Sequence, residues 1–235
     1  MHPHEVLPRL LREDPAAPRI TFYDDTPGST QGERIELSGK VLNNWVAKAG
    51  NLLAEHFDVE PGRTVALDLP PEHWRTLYWA LGVWAVGGTV SDDPDGADVV
   101  ISTNPKGAQP TELAVTTLAA LARSFPGEIP AGALDEAREL PTYPDVLEVV
   151  EEADADDLAL QTRDESWTYA NLVPAATSPV RAVVSGSLAE VLRTSLALWS
   201  AGGSVVILRG TTDPAVRASR RRSEGAQDMG PITLE

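Results

Sequence analysis

Trp84-Ala85-Val86-Gly87-Gly88-Thr89-Val90 and Trp199-Ser200-Ala201-Gly202-Gly203-Ser204-Val205 share one pattern, Trp-x-x-Gly-Gly-[Thr/Ser]-Val. Each closes a longer unit of the same order. The first runs from Val65 to Leu69, whose compact apolar character suits a strand, through a helix carrying Trp74, Leu77, Leu81 and Trp84, to Thr89-Val90. The second runs from a strand over Val180 to Ser185, through a helix carrying Leu188, Val191, Leu192, Leu196 and Trp199, to Ser204 through Leu208. Both helices carry Arg-Thr, at Arg75-Thr76 and Arg193-Thr194. A helix that stops and turns back along a sheet commonly ends in a left-handed residue, which glycine adopts without a Cβ clash. Each unit therefore reads as βαβ, and such units build parallel sheets with right-handed crossovers. The fold class is α/β, with two lobes of βαβ units in parallel or mixed sheets.

Upstream, Ile20 to Asp25 and Arg34 to Leu37 read as strands of a hairpin around the polar loop Thr26 to Glu33. Ser38 stands where an N-cap belongs, and Val41, Leu42, Trp45, Val46, Ala49, Leu52 and Leu53 then share one face of an amphipathic helix. Between the two units, Asp98 to Thr103 reads as a strand and Leu113 to Phe125 as a helix or a strand-helix mixture. Pro126 to Pro144 reads as surface loop, rich in Pro and Gly. The acidic run Glu151 to Asp157 reads as a linker, because its spacing matches no calcium loop. These boundaries predict a first lobe over 1–150, a smaller second lobe over 151–210, and a loose tail over 211–235, in which Leu234-Glu235 has the look of a cloning remnant.

The chain has 235 residues, enough for a self-sufficient core, and no cysteine, which excludes disulfides, thiolate metal sites and cysteine nucleophiles. A formal net charge of −16 repels phosphate backbones and anionic lipid, so neither nucleic acid nor membrane is an expected partner. The N-terminus lacks a basic region followed by an apolar stretch, and the longest apolar run, Leu77 to Val90, is too short and Gly-rich to span a bilayer, so the expected location is cytoplasmic. The Arg217, Arg220, Arg221, Arg222 cluster has no interleaved aromatics and reads as a solvated helix end or tail. His2 and His4 read as a frayed terminus, and the isolated His56 and His73 have no zinc-site spacing. Ser185-Gly186-Ser187 invites comparison with a nucleophile elbow, but it is not Gly-x-Ser-x-Gly, and Ser187 as N-cap explains it better. There is no Gly-x-Gly-x-x-Gly fingerprint. Five of the six tryptophans, Trp45, Trp74, Trp79, Trp84 and Trp199, lie on helices where packing against a sheet is the ordinary explanation.

In order along the chain, Ile35-Glu36-Leu37-Ser38, the helix Asn43 to Leu53, Val59-x-Pro61-Gly62-Arg63-Thr64-Val65-Ala66-Leu67, Leu69-Pro70 and Ala85 to Val90 resemble the opening of AMP-binding, adenylate-forming enzymes. That superfamily comprises acyl-CoA synthetases, luciferases and peptide-synthetase adenylation domains. Asp156 to Leu160 and Trp167 to Leu172 resemble the flanks of its phosphate loop, and Leu196 to Leu208 its next helix and strand. The resemblance covers residues 15 to 210 and implies the fold of a synthetase N-terminal domain. It also implies a Ser/Thr/Gly-rich loop ending in Pro-Lys-Gly between the two flanks, whose N–H groups and lysine grip phosphate. Here that interval is Gln161-Thr162-Arg163-Asp164-Glu165-Ser166, with neither glycine nor lysine. Pro27 to Gly32 has a suitable composition but sits in the hairpin with no lysine following.

The sequence also ends before the family's later adenine, ribose and magnesium motifs and its C-terminal lid. No catalytic residue or metal site is assigned, and ATP or AMP is a cofactor only by resemblance. Arg163, Trp167 and Tyr169 are the candidate nucleotide-binding residues, being a cation and two aromatics beside the missing loop. The expectation is a degenerate, non-catalytic relative that acts as a binding or assembly module, through a protein partner or self-association. The alternatives are an acyl-adenylate or acyl-CoA ligase subunit, or a nucleotide or acyl binder, completed by a partner protein, and a purely structural protein that dimerises.

Overall fold

A computed structural model describes residues 1–106, 112–147, 151–176 and 178–228. The chain opens with helix α1 (Pro3–Glu13), then strands β1 (Pro18–Asp24) and β2 (Arg34–Ser38), and helix α2 (Gly39–Phe57). The first βαβ unit is β3 (Thr64–Asp68), α3 (Trp74–Ala85) and β4 (Thr89–Ser91). Next come β5 (Val99–Ser102), β6 (Glu112–Val115), β7 (Leu134–Asp135), the short helix α4 (Glu136–Glu139) with a 3-10 turn over Leu140–Thr142, and the hairpin β8 (Leu158–Gln161) and β9 (Ser166–Thr168). The second unit is β10 (Arg181–Val183), α5 (Leu188–Ser200) and β11 (Ser204–Arg209), followed by α6 (Pro214–Ser223) and β12 (Gln227–Asp228).

The strands form two sheets, ordered β12-β10-β11-β1-β2 and β7-β6-β5-β3-β4-β8-β9. Every pairing is parallel except β1 with β2 and β8 with β9. Period-two alternation then divides the apolar residues. Val65, Leu67, Val99, Ile101 and Ala114 face one core, while Ala66, Val100, Leu113 and Val115 face a second cluster with Phe125 and Ile129. In the other sheet Ile20, Phe22, Ala182, Val205 and Ile207 enter that same first core, and Val183, Val206 and Leu208 lie on the far side. The inner faces of both sheets thus share one core, together with α1, α2, α3 and α5. This explains why α3 shows no polar stripe: every residue from Trp74 to Trp84 is buried, and a helix enclosed on all sides is apolar all round. Trp74, Trp79, Trp84 and Trp199 are among the largest fully buried side chains.

The paired glycines divide their work. Gly87 and Gly202 hold φ of +80° and +81°, a left-handed turn that glycine takes without strain. Gly203 is needed for close approach, because a Cβ there would lie 2.2 Å from the Val180 carbonyl oxygen. Ser38 and Ser187 cap their helices, accepting from the backbone N–H of Val41 and Glu190.

Several expectations are corrected. His2 and His4 do not fray: they open α1, whose Val6, Leu7 and Leu10 are buried in the shared core. Val41 turns outward and is exposed. Leu113 to Phe125 contains the end of β6 and then irregular chain, with no helix. Pro126 to Pro144 does not only wrap the surface, since Leu134, Glu136 and Leu140 are buried. The segment after Thr211 forms α6 and β12 as far as residue 228; the expected looseness beyond that, with Leu234-Glu235, lies outside the described residues. Sheet membership also cuts across the expected boundary at 150. The N-terminal hairpin pairs with β11 of the second unit, and β8 pairs with β4 of the first.

Candidate functional site

In an open parallel sheet, ligands bind beyond the carboxyl ends of the strands. At that end of β4 and β8 lie Ser91-Asp92-Asp93 and the turn Thr162 to Glu165, where the resemblance places a phosphate loop. The turn is closed on itself. The Thr162 N–H donates to the Glu165 carbonyl (2.8 Å), and the Glu165 N–H donates to Thr162 Oγ1 (3.1 Å). The Arg163 N–H donates to Asp92 Oδ1 (3.2 Å), and the Arg163 guanidinium, with a 70% exposed side chain, sits 3.6 Å from Asp93. Three N–H groups that a phosphate loop would offer are therefore engaged, and the one cation in the turn leans on a carboxylate. Asp92, Asp93, Asp164 and Glu165 give the turn's surroundings a negative field. Each unit charge about 4 Å from a phosphate oxygen opposes it by about 1 kcal/mol even in bulk water.

Arg163, Trp167 and Tyr169 have three separate sets of partners. Trp167, on β9, is half-buried, and its ring is covered by the Arg193 guanidinium at 4.6 Å. Arg193 Nε in turn donates to the Leu172 carbonyl (3.4 Å). Tyr169 is fully buried, and its hydroxyl donates to the Gly88 carbonyl at 2.8 Å. Burial, with Asp157 nearby, pushes the phenol well above its ordinary pKa. Tyr169 pins the glycine corner before β4 from inside the core.

Sequence reasoning missed a buried polar cluster at the start of α3. Arg75 Nη1 donates to Glu136 Oε1 (2.8 Å) and to the Tyr78 hydroxyl oxygen (3.1 Å), and the Tyr78 hydroxyl donates to the same carboxylate oxygen (2.5 Å). The guanidinium lies 4.6 Å from the centre of the Trp74 ring. Beside it, His73 Nδ1 accepts from the Arg75 N–H (3.1 Å) and caps α3. Burial, then the nearby Arg75 and Arg209 charges, hold His73 down at about 3, so the ring is neutral. The signal available in sequence was an arginine and a histidine on an otherwise apolar helix; its partner lies 61 positions away. Enclosed, and sharing one carboxylate oxygen while Arg75 Nε, Glu136 Oε2 and His73 Nε2 stay buried without a partner among the described residues, this cluster joins α3 to α4.

Arg220, Arg221 and Arg222 stand in the last turn of α6, a solvated helix end as expected, with none of them buried; Arg220 also pairs with Asp25 and Arg221 with Asp228. Among the described residues, no group of three or more His, Asp or Glu could hold a metal ion, and no helix is long and apolar enough to cross a membrane. At the opposite end of β4 and β8 from the turn, α1, α2, the end of α3 and residues 145–147 and 152–153 enclose a cavity of about 350 Å³.

No protein-family model matches the chain. A curated protein of Mycobacterium tuberculosis (strain ATCC 25618 / H37Rv), described as a TIGR03089 family protein, is 38% identical over 152 residues, which is 60% of this chain and 60% of that protein. Among solved structures, the acyl-CoA synthetase of Brucella canis superposes with a TM-score of 0.76 at 15% identity, over 97% of this chain and 46% of that one. The acetoacetyl-CoA synthetase of Streptomyces lividans gives 0.73 at 15% identity, over 96% and 41%. The N-terminal domain of FACL13 from Mycobacterium tuberculosis gives 0.71 at 13% identity, over 96% and 61%. The fold is therefore that of an acyl-CoA synthetase N-terminal domain, and the chain spans about half the length of these synthetase structures.

Proposed function

We propose that this chain uses the adenylate-forming fold without its adenylating reaction, as a binding or assembly module. The observation that carries the reading is the closed turn Thr162 to Glu165. Phosphoryl chemistry in this fold depends on preorganised donors and positive charge around the nucleotide phosphates. Here the backbone donors bond within the turn and to Asp92, and the surrounding side chains are mostly carboxylates. Arg163 is too exposed, and too close to Asp93, to replace the missing loop.

The test is ATP-pyrophosphate exchange with a panel of aliphatic, aromatic and amino carboxylic acids. The expected result is exchange at the level of a no-protein control, and no saturable rise in melting temperature with ATP or AMP. Acid-dependent exchange above that control would overturn the proposal.

A further inference from the structure

The cavity at the amino end of β4 and β8 is built from walls fixed by polar ties. Asn51 Nδ2 on α2 donates to the carbonyls of Pro144 (3.1 Å) and Val146 (2.9 Å). Lys48 Nζ donates to the carbonyls of Pro141 (3.1 Å) and Tyr143 and pairs with Asp145 (2.9 Å). Opposite, Trp84 Nε1 donates to the Ala159 carbonyl (2.7 Å). The loop wall is thus held in place from α2, and the α3 wall from β8. A cavity of about 350 Å³ lies at the low end of the ~300–1,000 Å³ range of small-molecule pockets, enough for one fused bicyclic ring system.

Its lining is chiefly apolar, with Leu7, Val46, Leu81 and Trp84 among the walls, and Val146 at its edge is 71% exposed despite being aliphatic. The polar groups in the lining are biased toward acceptors. Asp145 and Glu152 supply carboxylates, and among the described residues no lysine or arginine lines the space. Lys48 already balances Asp145, whereas Glu152, exposed at the rim, is near enough to His4 to oppose in part the lowering of its pKa by burial. Burial lowers the His4 pKa below its ordinary value, so that ring adds no positive charge at pH 7. Pro8 has no N–H, which leaves the His4 carbonyl without its helical donor, and both residues line the cavity. Asn43 contributes the remaining polar group, a carboxamide.

We propose that this cavity is a binding site for a small apolar amine, a compact aromatic or alicyclic body carrying one protonated nitrogen. The apolar body fills the space between α1, α2 and α3, and the ammonium group meets Glu152 and the His4 carbonyl. The preference is opposite in sign to that of a carboxylate or nucleotide site. It goes beyond the proposed function, because this cavity and the closed turn lie at opposite ends of the same strands.

The experiment is calorimetric titration of the full chain with two probes of the same shape, 1-naphthylmethylamine and 1-naphthoic acid, at pH 7 and low salt. The expected result is saturable binding of the amine at least tenfold tighter than the acid. A47F, which places a ring inside the cavity, and A85L, a milder filling from α3, should each weaken amine binding at least tenfold while keeping a cooperative melt. E152Q should cut the preference for amine over acid to a few-fold. Absence of amine binding at millimolar concentration, equal binding of the acid, or unchanged amine binding in folded A47F and A85L would each overturn the proposal.

Discussion

His73 is a residue whose environment makes a definite demand. Its Nδ1 must stay unprotonated to accept from Arg75, and the ring sits against Phe22 with positive charges nearby. Its folded pKa is about 3 against an ordinary 6.5. Above pH 6.5 both states are neutral, and the stability associated with the neutral ring is fully present. As pH falls from 6.5 toward 3, the unfolded chain takes up a proton that the folded chain refuses, so stability is lost at about 1.4 kcal/mol per pH unit. His73→Asn keeps a capping side chain but cannot titrate, so its stability deficit relative to the wild type should shrink by about 2 kcal/mol between pH 7 and pH 5. Urea midpoints at both pH values measure this; a constant deficit would show that His73 titrates alike in both states. Tyr169 makes the contrasting case. Its hydroxyl serves only the Gly88 carbonyl, so Tyr169→Phe should cost about 1 to 2 kcal/mol of stability, read by chemical denaturation, and leave any response to ATP unaltered.

Among elements, the ones legible in sequence were those whose own residues carry their pattern. The two βαβ units, the N-terminal hairpin and the capped helix α2 could be read from period, caps and glycines. Three helices escaped, the single turn α4 within the Pro- and Gly-rich stretch 126–144 and two longer ones. The prolines and histidines of α1 disguise the spacing of Val6, Leu7 and Leu10, although Pro3 at its first position is compatible with a helix start. The other, α6, buries none of its residues. It is held by Arg220 with Asp25 and by Glu224 with Tyr23, Arg34 and Arg181, contacts that reach as far as 201 positions along the chain and leave no local trace. The candidate site divides in the same way. The absence of glycine and lysine from 161–166 was legible, but the contacts of Trp167 with Arg193 and of Tyr169 with Gly88 depended on which way each ring points. If α1 is an integral helix, then Leu10→Ala should cost about 2 to 5 kcal/mol, as buried leucines do. Arg9→Ala removes only an exposed pair with Glu13 and should cost under about 0.5 kcal/mol. Equal, small effects in denaturant titrations would mean that the terminus is undocked.

At the scale of the whole molecule, the chain visits the two sheets in the order first, second, first. It lays β1 and β2, crosses through α2 to build the sheet around β3, and returns after β9 to place β11 beside β1. The Ile20 to Asp24 register with Val205 to Arg209 therefore closes the chain over most of its length. At the start of β1, Trp199 Nε1 donates to the Arg19 carbonyl (3.0 Å), and the Arg19 guanidinium donates to the carbonyl of Gly202 (2.6 Å). The acidic run 151–157 looks like a linker because it is polar and exposed, yet it leads directly into β8 of the sheet that residues 64–135 began. A cut there leaves one fragment with β1 and β2 lacking the parallel partner β11, and a sheet ending at β4. The other fragment keeps β8 and β9 as an isolated hairpin, which is marginal in water. Residues 1–150 and 151–235 expressed separately should therefore each lack a cooperative melt, while the two together should restore a single transition in which tryptophan fluorescence and far-ultraviolet circular dichroism coincide. Independent cooperative unfolding of either fragment would mean that the shared core of the two sheets is an accessory to stability and not its source.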